Sequence, residues 1–355
     1  MNKLENARKQ INHIDKEMAE LFEKRMQAVE DVVDYKLSNQ MPVLDSSRER
    51  ELIDKNLKYI NDCKYRDSYL SFLHHMLEVS KDYQKQIINR DVIAYQGTYG
   101  AFSYIASTKI FENHKYRSYP TFEDVFKAVE SQEVSYGVIP FENSFTGEVG
   151  EVSDLLREYN VYIIDTYDLK VDQNLLGKKG ASAQTIKKVY SHPQAISQSS
   201  QFLKGRGYEI MPYPNTALAA KFVSEQDRDD LAAIASKETA ELFGLEILES
   251  NIHTSGDNTT RFIVISKQLK PQGTNFQMLF TTKNETGALA EAINLIASYG
   301  FNMESIKSRA IPNEPWSYYF HVELEGELES KQTKEMLKKL EDICTDIKIL
   351  GSYTK

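Results

Sequence analysis

Residues 1 to 39, MNKLENARKQINHIDKEMAELFEKRMQAVEDVVDYKLSN, contain neither glycine nor proline. Their apolar residues fall at alternating steps of three and four, at Leu4, Ala7, Ile11, Ile14, Met18 and Leu21, then at Ala28 and Val32. That is a coiled-coil period sustained for about five heptads, and it predicts one long helix. A helix of this length is too long for one small domain to cover, so its seam is expected to pack on a partner helix. Arg25 and Lys36 break the pattern. At roughly 100° per residue they lie only about 20° apart around the axis, so two cations look inward on one face. A buried cation without a counter-charge is strongly unfavourable. Either acidic residues of the segment pair with these two, or an anionic ligand does.

Bulk properties narrow the class. A chain of 355 residues is long for one core, and two or three domains are expected. The formal net charge of -9 argues against general nucleic-acid binding, which needs a basic face. Residues 1–90 carry sixteen Lys plus Arg against sixteen Asp plus Glu, so the acidity belongs to the remainder and any anion site here is local. No run of about 18 apolar residues is present to span a membrane, and the start lacks the apolar core of a secretory signal, so a cytoplasmic protein is expected. Cys63 and Cys344 match no metal-ligand spacing; reduced thiols, no metal and no cofactor are expected.

All 16 glycines lie at or after Gly97, and the only proline before it is Pro42. Residues 1–90 therefore read as an all-helical unit, with further helices near 46–60 and 67–88. Asp45 and Ser46 are good caps for the second of these, with Arg48 and Glu49 following directly. On the third, Ser80 and Gln84 are four apart and share a face. From Val92 strands are expected near 92–95, 136–140, 161–166, 188–191, 208–212, 231–235 and 261–265, with helices between most of them. Such alternation predicts a mostly parallel α/β architecture whose ligand lies beyond the carboxyl ends of the strands. The polar clusters fall there: Gly97 to Ser103, Glu142 to Gly147, Ser191-His192-Pro193-Gln194, and Asn215-Thr216. Residues 271–274 read as a linker. Beyond it the order is βαββαβ, an α+β ferredoxin-like unit.

The first 90 residues resemble the all-helical chorismate mutases, in the residue types at Arg8, Arg25, Lys36, Asp45, Arg48, Glu49, Ser80 and Gln84. End to end, the chain resembles the bifunctional chorismate mutase/prephenate dehydratases of phenylalanine biosynthesis. Its middle carries the motifs Glu142-Asn143-Ser144, Ser191 to Gln194 with Gln198 beyond, and Thr260-Arg261-Phe262. Its tail resembles an ACT regulatory domain. The resemblance implies a helical, dimerising mutase over 1–90, a two-lobed, periplasmic-binding-protein-like α/β dehydratase over 91–270, and an ACT domain over 274–355.

The mutase reaction rearranges a dicarboxylate through a compact chair in which the breaking ether oxygen gains negative charge. It needs fixed cations and donors, and no nucleophile. By resemblance, Arg8 and Arg25 hold carboxylates, Lys36 and Gln84 face the ether oxygen, Glu49 receives the ring hydroxyl, and Asp45, Arg48 and Ser80 complete substrate binding. Arg8 lies about 260° around the helix from Arg25, so one straight helix cannot aim both at one substrate. A second chain supplying Arg8, as in the family's intertwined dimer, resolves this. For the dehydratase, the resemblance makes Thr260 the proton donor or hydroxyl-orienting group, with Asn143, Ser144, Ser191, Gln198, Thr216 and Arg261 positioning prephenate. Without it, Thr259 to Arg261 is an ordinary start of a strand, Asn143-Ser144 a capping loop, and His192 a strand end.

The tail carries the family's glycine motif as Gly287-Ala288-Leu289, but the usual Glu-Ser-Arg-Pro stands as Lys307-Ser308-Arg309-Ala310. Phenylalanine as effector at Gly287 to Leu289, Ser308 and Arg309 is the expectation. A competing reading is a mutase fused to a non-catalytic ligand-sensing module, since two-lobed α/β folds also serve as binding proteins. Thr260 with Asn143 and Gln198 favours the enzyme, because a sensor has no need of a hydroxyl beside a scissile group. A third, a helical dimerisation domain without catalysis, is disfavoured by the full polar set on the mutase helices.

Overall fold

The computed structural model describes residues 2–39, 46–89, 92–254, 258–311 and 314–355. Pro42 and Asp45 lie outside the described residues. The chain divides into two compact units, Met1–Asp91 and Val92–Lys355.

The first unit is helical: α1 (Lys3–Ser38), α2 (Ser46–Leu57) and α3 (Arg66–Asn89). The second half of α1 packs on α3, where Val33 and Leu73 are fully buried and Leu77 nearly so. Arg25, Val29 and Lys36 lie on this covered face, half-buried. Ala28 and Val32, which the heptad seam placed inward, are exposed instead. A straight helix of 3.6 residues per turn drifts from a 3.5-residue seam by about 20° per heptad, so the stripe rotates off the contact. Over the first half of α1 the stripe is uncovered: Leu4, Ile11, Ile14, Met18 and Leu21 are 46 to 63 % exposed.

The second unit opens with β1 (Val92–Gln96), α4 (Phe102–Ile110), β2 (Lys115–Tyr119), α5 (Phe122–Glu130), β3 (Tyr136–Asn143), β4 (Gly147–Glu148), α6 (Gly150–Glu158) and β5 (Tyr162–Lys170). It crosses into a smaller lobe through β6 (Asn174–Gly177), β7 (Lys188–Ser191), α7 (Pro193–Gln198), α8 (Ser200–Leu203), β8 (Glu209–Pro212), α9 (Thr216–Glu225), β9 (Leu231–Ala235), α10 (Lys237–Phe243) and β10 (Glu246–Glu249). It returns by β11 (Thr259–Ser266) and finishes as β12 (Asn275–Thr282), α11 (Ala288–Ser298), β13 (Asn302–Ala310), β14 (Tyr318–Glu325), α12 (Lys331–Ile343) and β15 (Cys344–Tyr353). The smaller sheet has the order β10-β6-β9-β7-β8. Its strand β9, Leu-Ala-Ala-Ile-Ala, is buried at every position because it is paired on both edges and covered on both faces.

The architecture is more mixed than expected. Parallel pairing holds for β1 with β2 and β3, and for β7 with β8 and β9. The return strand β11 runs antiparallel to both β3 and β5, and β6 and β10 are also antiparallel. Strands β2, β4, β6 and β10 escaped the sequence reading; β2 is mostly exposed and polar, and all four are short.

Residues 271–274 do not form a free linker. A Cβ on Gly273 would lie 2.5 Å from the Tyr353 carbonyl oxygen. Strand β15 meets β5 in parallel at Gly351 and Ile163, where a Cβ on Gly351 would stand 1.9 Å from the Ile163 carbonyl oxygen. Only glycine admits that approach. One sheet therefore runs β13-β14-β12-β15-β5-β11-β3-β1-β2, and Leu279, Tyr319 and Leu350 share a core with Ile139, Ile163 and Ile263. The C-terminal βαββαβ segment is packed into the second unit, with its own apolar cluster beneath α11 and α12.

Candidate functional site

In the helical unit, α1 and α3 bring Arg25 and Ser80 together: the Arg25 guanidinium donates to the Ser80 hydroxyl, which donates in turn to the Met76 carbonyl oxygen at 2.7 Å. Burial lowers the Arg25 pKa from its ordinary value, the mark of a cation without full compensation. One residue along α3, Lys81 forms a 2.7 Å ion pair with Glu49 of α2. Sequence reasoning missed Lys81. Gln84, one turn beyond Ser80, is half-buried, as is Lys36. Arg48 points outward and pairs with Glu51 at 3.4 Å, both heavily exposed, so the structure does not bring it to the Arg25–Ser80 pair. Arg8 sits on the uncovered half of α1, about 25 Å along the axis from Arg25.

In the second unit, a cavity of about 290 Å³ lies between the two lobes. Asn143, Gln198, Thr216 and Thr260 all line it. Asn143 and Thr260 are cross-strand partners at the ends of β3 and β11. The Asn143 amide is oriented by the backbone. Its Oδ1 accepts from the amides of Phe145 at 3.0 Å and Thr146 at 3.2 Å, which obliges Nδ2 to face inward. There Nδ2 donates to Thr260 Oγ1 at 2.9 Å and to Asn258 Oδ1 at 2.8 Å, and Asn258 donates to Gln198 Oε1 at 3.3 Å. Thr260 thus receives a hydrogen bond on its oxygen and keeps its own proton for the cavity.

Three of the expected contacts are otherwise employed. Ser191 is fully buried and donates to the Ile234 carbonyl oxygen at 2.7 Å, because alternation along β7 turns it under the sheet. Arg261 points away from its neighbour Thr260 and forms a two-point pair with Asp168 at 2.9 and 3.2 Å. Ser144 closes the strand ends, accepting from the Thr259 amide at 3.0 Å. Conversely, His192 lines the cavity while capping α7 through the Gln194 amide. Gln194 and Asn215, from the polar clusters expected at the strand ends, also line it; Gln96, Gln173 and Asn258 line it too and were missed. Gln173 is 2 % exposed and its Oε1 has no partner.

Among the described residues, no Lys, Arg, Asp or Glu lines this cavity. Three helices begin there instead: α4 at Phe102 without a side-chain cap, α7 at Pro193, and α9 at Thr216 capped by Asn215. Their amino ends offer partial positive charge and amide donors to an anion.

The expected effector residues are divided. Gly287 takes a left-handed conformation at the start of α11, leading into Ala288 and Leu289. Ser308 is exposed on β13, whereas Arg309 is engaged by Asp154 of α6 at 2.6 and 3.1 Å, with the Tyr319 hydroxyl on the same carboxylate at 2.8 Å. Arg309 is therefore held against α6, where Gly150 leaves room for its guanidinium.

Residues 93–270 match the prephenate dehydratase family, and residues 7–85 match chorismate mutase type II. The bifunctional chorismate mutase/prephenate dehydratase of Aquifex aeolicus (strain VF5) is 32 % identical over 365 residues, covering 100 % of this chain and 99 % of that protein. Among solved structures, the quorum quenching acylase GqqA has a TM-score of 0.68 at 30 % identity, over 74 % of this chain and 97 % of its own. The prephenate dehydratase of Staphylococcus aureus subsp. aureus Mu50 has a TM-score of 0.66 at 27 % identity, over 74 % of this chain and 99 % of its own. Because the likeness to the Aquifex protein runs through both units from end to end, the chain belongs to the bifunctional chorismate mutase/prephenate dehydratases, enzymes of phenylalanine biosynthesis.

Proposed function

We propose that the two reactions occupy separate sites, chorismate rearranging on the helical unit and prephenate losing carbon dioxide and water in the cavity between the lobes. The observation that carries the second assignment is the chain Thr260–Asn143–Asn258–Gln198 along a cavity whose described lining holds no Lys, Arg, Asp or Glu. As the ring carboxylate leaves, its bonding electrons enter the ring, the carbon–oxygen bond to the hydroxyl breaks, and the departing hydroxyl takes up a proton. Thr260 supports that step by donating to the hydroxyl, while the Asn143 amide on its oxygen strengthens the donation. No Lys or Arg among the described lining residues pairs with the departing carboxylate, so those residues do not stabilise the reactant relative to the transition state. Helix amino ends hold the substrate's charge, and the unpaired Gln173 oxygen offers an acceptor. The likeness to an acylase gains no support here: an acylase nucleophile needs a base to take its proton, whereas Thr260 receives a hydrogen bond from an amide donor. Supplying chorismate to the purified protein and following prephenate and phenylpyruvate with time tests the assignment. Prephenate that accumulates without phenylpyruvate would favour a mutase fused to a sensor.

For the mutase, Arg25, Lys36, Glu49, Ser80 and Gln84 come from this chain and Arg8 from a second copy. Three observations support a dimer. Arg8 lies on the uncovered half of α1; the apolar stripe beside it is exposed; and among the described residues of the helical unit Val33, Leu73 and Leu77 alone are apolar and buried. Three such side chains supply about 5 to 9 kcal/mol, too little for a helical unit of this size to stand alone. Arg8→Ala and Arg25→Ala chains, each inactive as a mutase, are expected to regain activity when mixed, since one site of each heterodimer then holds both arginines. Mixed chains that demonstrably exchange subunits and stay inactive would place Arg8 outside the partner's site.

The C-terminal segment is read as an ACT-like ferredoxin fold binding phenylalanine near Gly287 to Leu289 and Ser308. Its order β13-β14-β12-β15 supports this. Since this segment shares a sheet with β5 and β11, phenylalanine is expected to inhibit the dehydratase more than the mutase, with a coupling of about 1 to 3 kcal/mol. Assaying both activities against phenylalanine decides it; equal inhibition, or none, contradicts the reading. A cytoplasmic location fits the two free thiols, Cys63 and Cys344.

A further inference from the structure

We propose that Lys307 is a positioning residue for the dehydratase site, acting through Glu142 on the strand end that carries Asn143. The proposal rests on the reading of Asn143 and Thr260 as site residues. Lys307 lies on β13, at one end of the large sheet, six strands from β3 in the order. The sheet curls far enough for its ammonium to reach Glu142 at 2.9 Å, with the nitrogen 5.1 Å from the centre of the Phe141 ring. Phe141 is itself buried and packs edge-on against His321 of β14, with ring centres 5.4 Å apart. The cation is therefore seated on the residues immediately before Asn143.

What Glu142 faces explains why it needs this partner. Across β3 and β11 it stands opposite Arg261, whose guanidinium is committed to Asp168. On its other side it stands opposite Glu148 of β4, a like charge. Without Lys307, two carboxylates would oppose each other at the point where β3 ends and the Asn143 turn begins. Like charges directly opposite in a ladder are destabilising and push the strands apart. Asn143 and Gly147 form the next pair in that ladder, and the amides of Phe145 and Thr146 in the same turn fix the Asn143 side chain. A shift of this turn changes the line from Asn143 to the Thr260 oxygen. The side chains of the pair are 21 and 37 % exposed, so solvent screens it and its value to overall stability is modest; its effect is on aim, and small displacements of a positioned group are costly in rate.

The test is made on the full chain with prephenate as substrate. Lys307→Gln is expected to lower dehydratase kcat about 10-fold while KM stays within about 2-fold, because the substrate is still bound but the hydroxyl donor is misaligned. Lys307→Arg, which keeps the charge, is expected to restore kcat to within about 2-fold of the parent. Glu142→Gln cuts the same pair from the other side, so the double variant is expected to be no slower than the slower single variant. Circular dichroism and the mutase rate of the same preparations verify folding, and a folding defect in one single variant leaves the other to decide. A parental kcat in Lys307→Gln or in Glu142→Gln overturns the proposal, as does a loss confined to KM or a double variant whose loss is the product of the two. Thr260→Val and Asn143→Ala run in the same assay separate the two levels. If those retain full activity, the site reading itself fails; if they lose it while Lys307→Gln does not, only the role of Lys307 fails.

Discussion

Thr260→Val is expected to reduce prephenate dehydration by roughly 100-fold or more while leaving chorismate rearrangement within a few fold of the parent. Valine keeps the size and branching of threonine at a half-buried strand position, so the pairing of β11 with β3 and β5 should persist. What disappears is one hydroxyl. With it goes the group that accepts the Asn143 amide at 2.9 Å and presents a proton to the cavity. The Asn143 donor is left with Asn258 and the more distant Thr259 carbonyl, so the packing cost is small and the loss should appear in kcat. Steady-state assays of both reactions on one preparation check this. A fully active variant would remove Thr260 from the chemistry, and parallel loss of both reactions would indicate unfolding.

Lys36→Ala is expected to do the reverse, cutting mutase activity by about 10² to 10³ and sparing dehydratase activity measured with prephenate. Lys36 lies half-buried on the face of α1 that α3 covers, on the same stripe as Arg25 and eleven residues beyond it. Nearby, Arg25 is fixed by Ser80 and Glu49 by Lys81, so the surrounding charges are already held in place. A cation aimed at a developing oxyanion costs no reorganisation at the moment of reaction, which is why its loss weighs heavily on rate. The dehydratase belongs to the separately packed unit Val92–Lys355 and has no need of this residue. Equal loss of both activities would contradict two separate sites.

The residues that were legible in the sequence carry periodic or local signals. The three-and-four spacing of α1 gave the helix and placed Arg25 and Lys36 inward, because helical geometry fixes the angle between residues. Asn143 and Thr260 stood in short motifs at strand ends, where ligands of α/β folds gather. The amides of the cavity were not legible in the same way. Gln96, Gln173 and Asn258 are neutral, lie far apart in the chain and have no common spacing. One signal was available: Asn258 lies two before Thr260 and so falls on the same side of an extended chain.

Side-chain direction separated the expected residues that line the cavity from those turned away from it. Arg261 and Ser191 have the right chemistry beside the right residues, yet alternation along a strand turns one towards Asp168 and the other under the sheet. By itself the sequence determined an all-helical first unit, an α/β body, the βαββαβ order at the end and the family to which the chain belongs. Only the tertiary structure decided that the last segment is not a tethered domain, because that depends on β15 lying beside β5 at Gly351, 188 residues after Ile163. Only the tertiary structure, too, placed Lys307 on Glu142. Local spacing fixes which face of an element a residue occupies, but the curl of a sheet brings together strands that no periodicity connects.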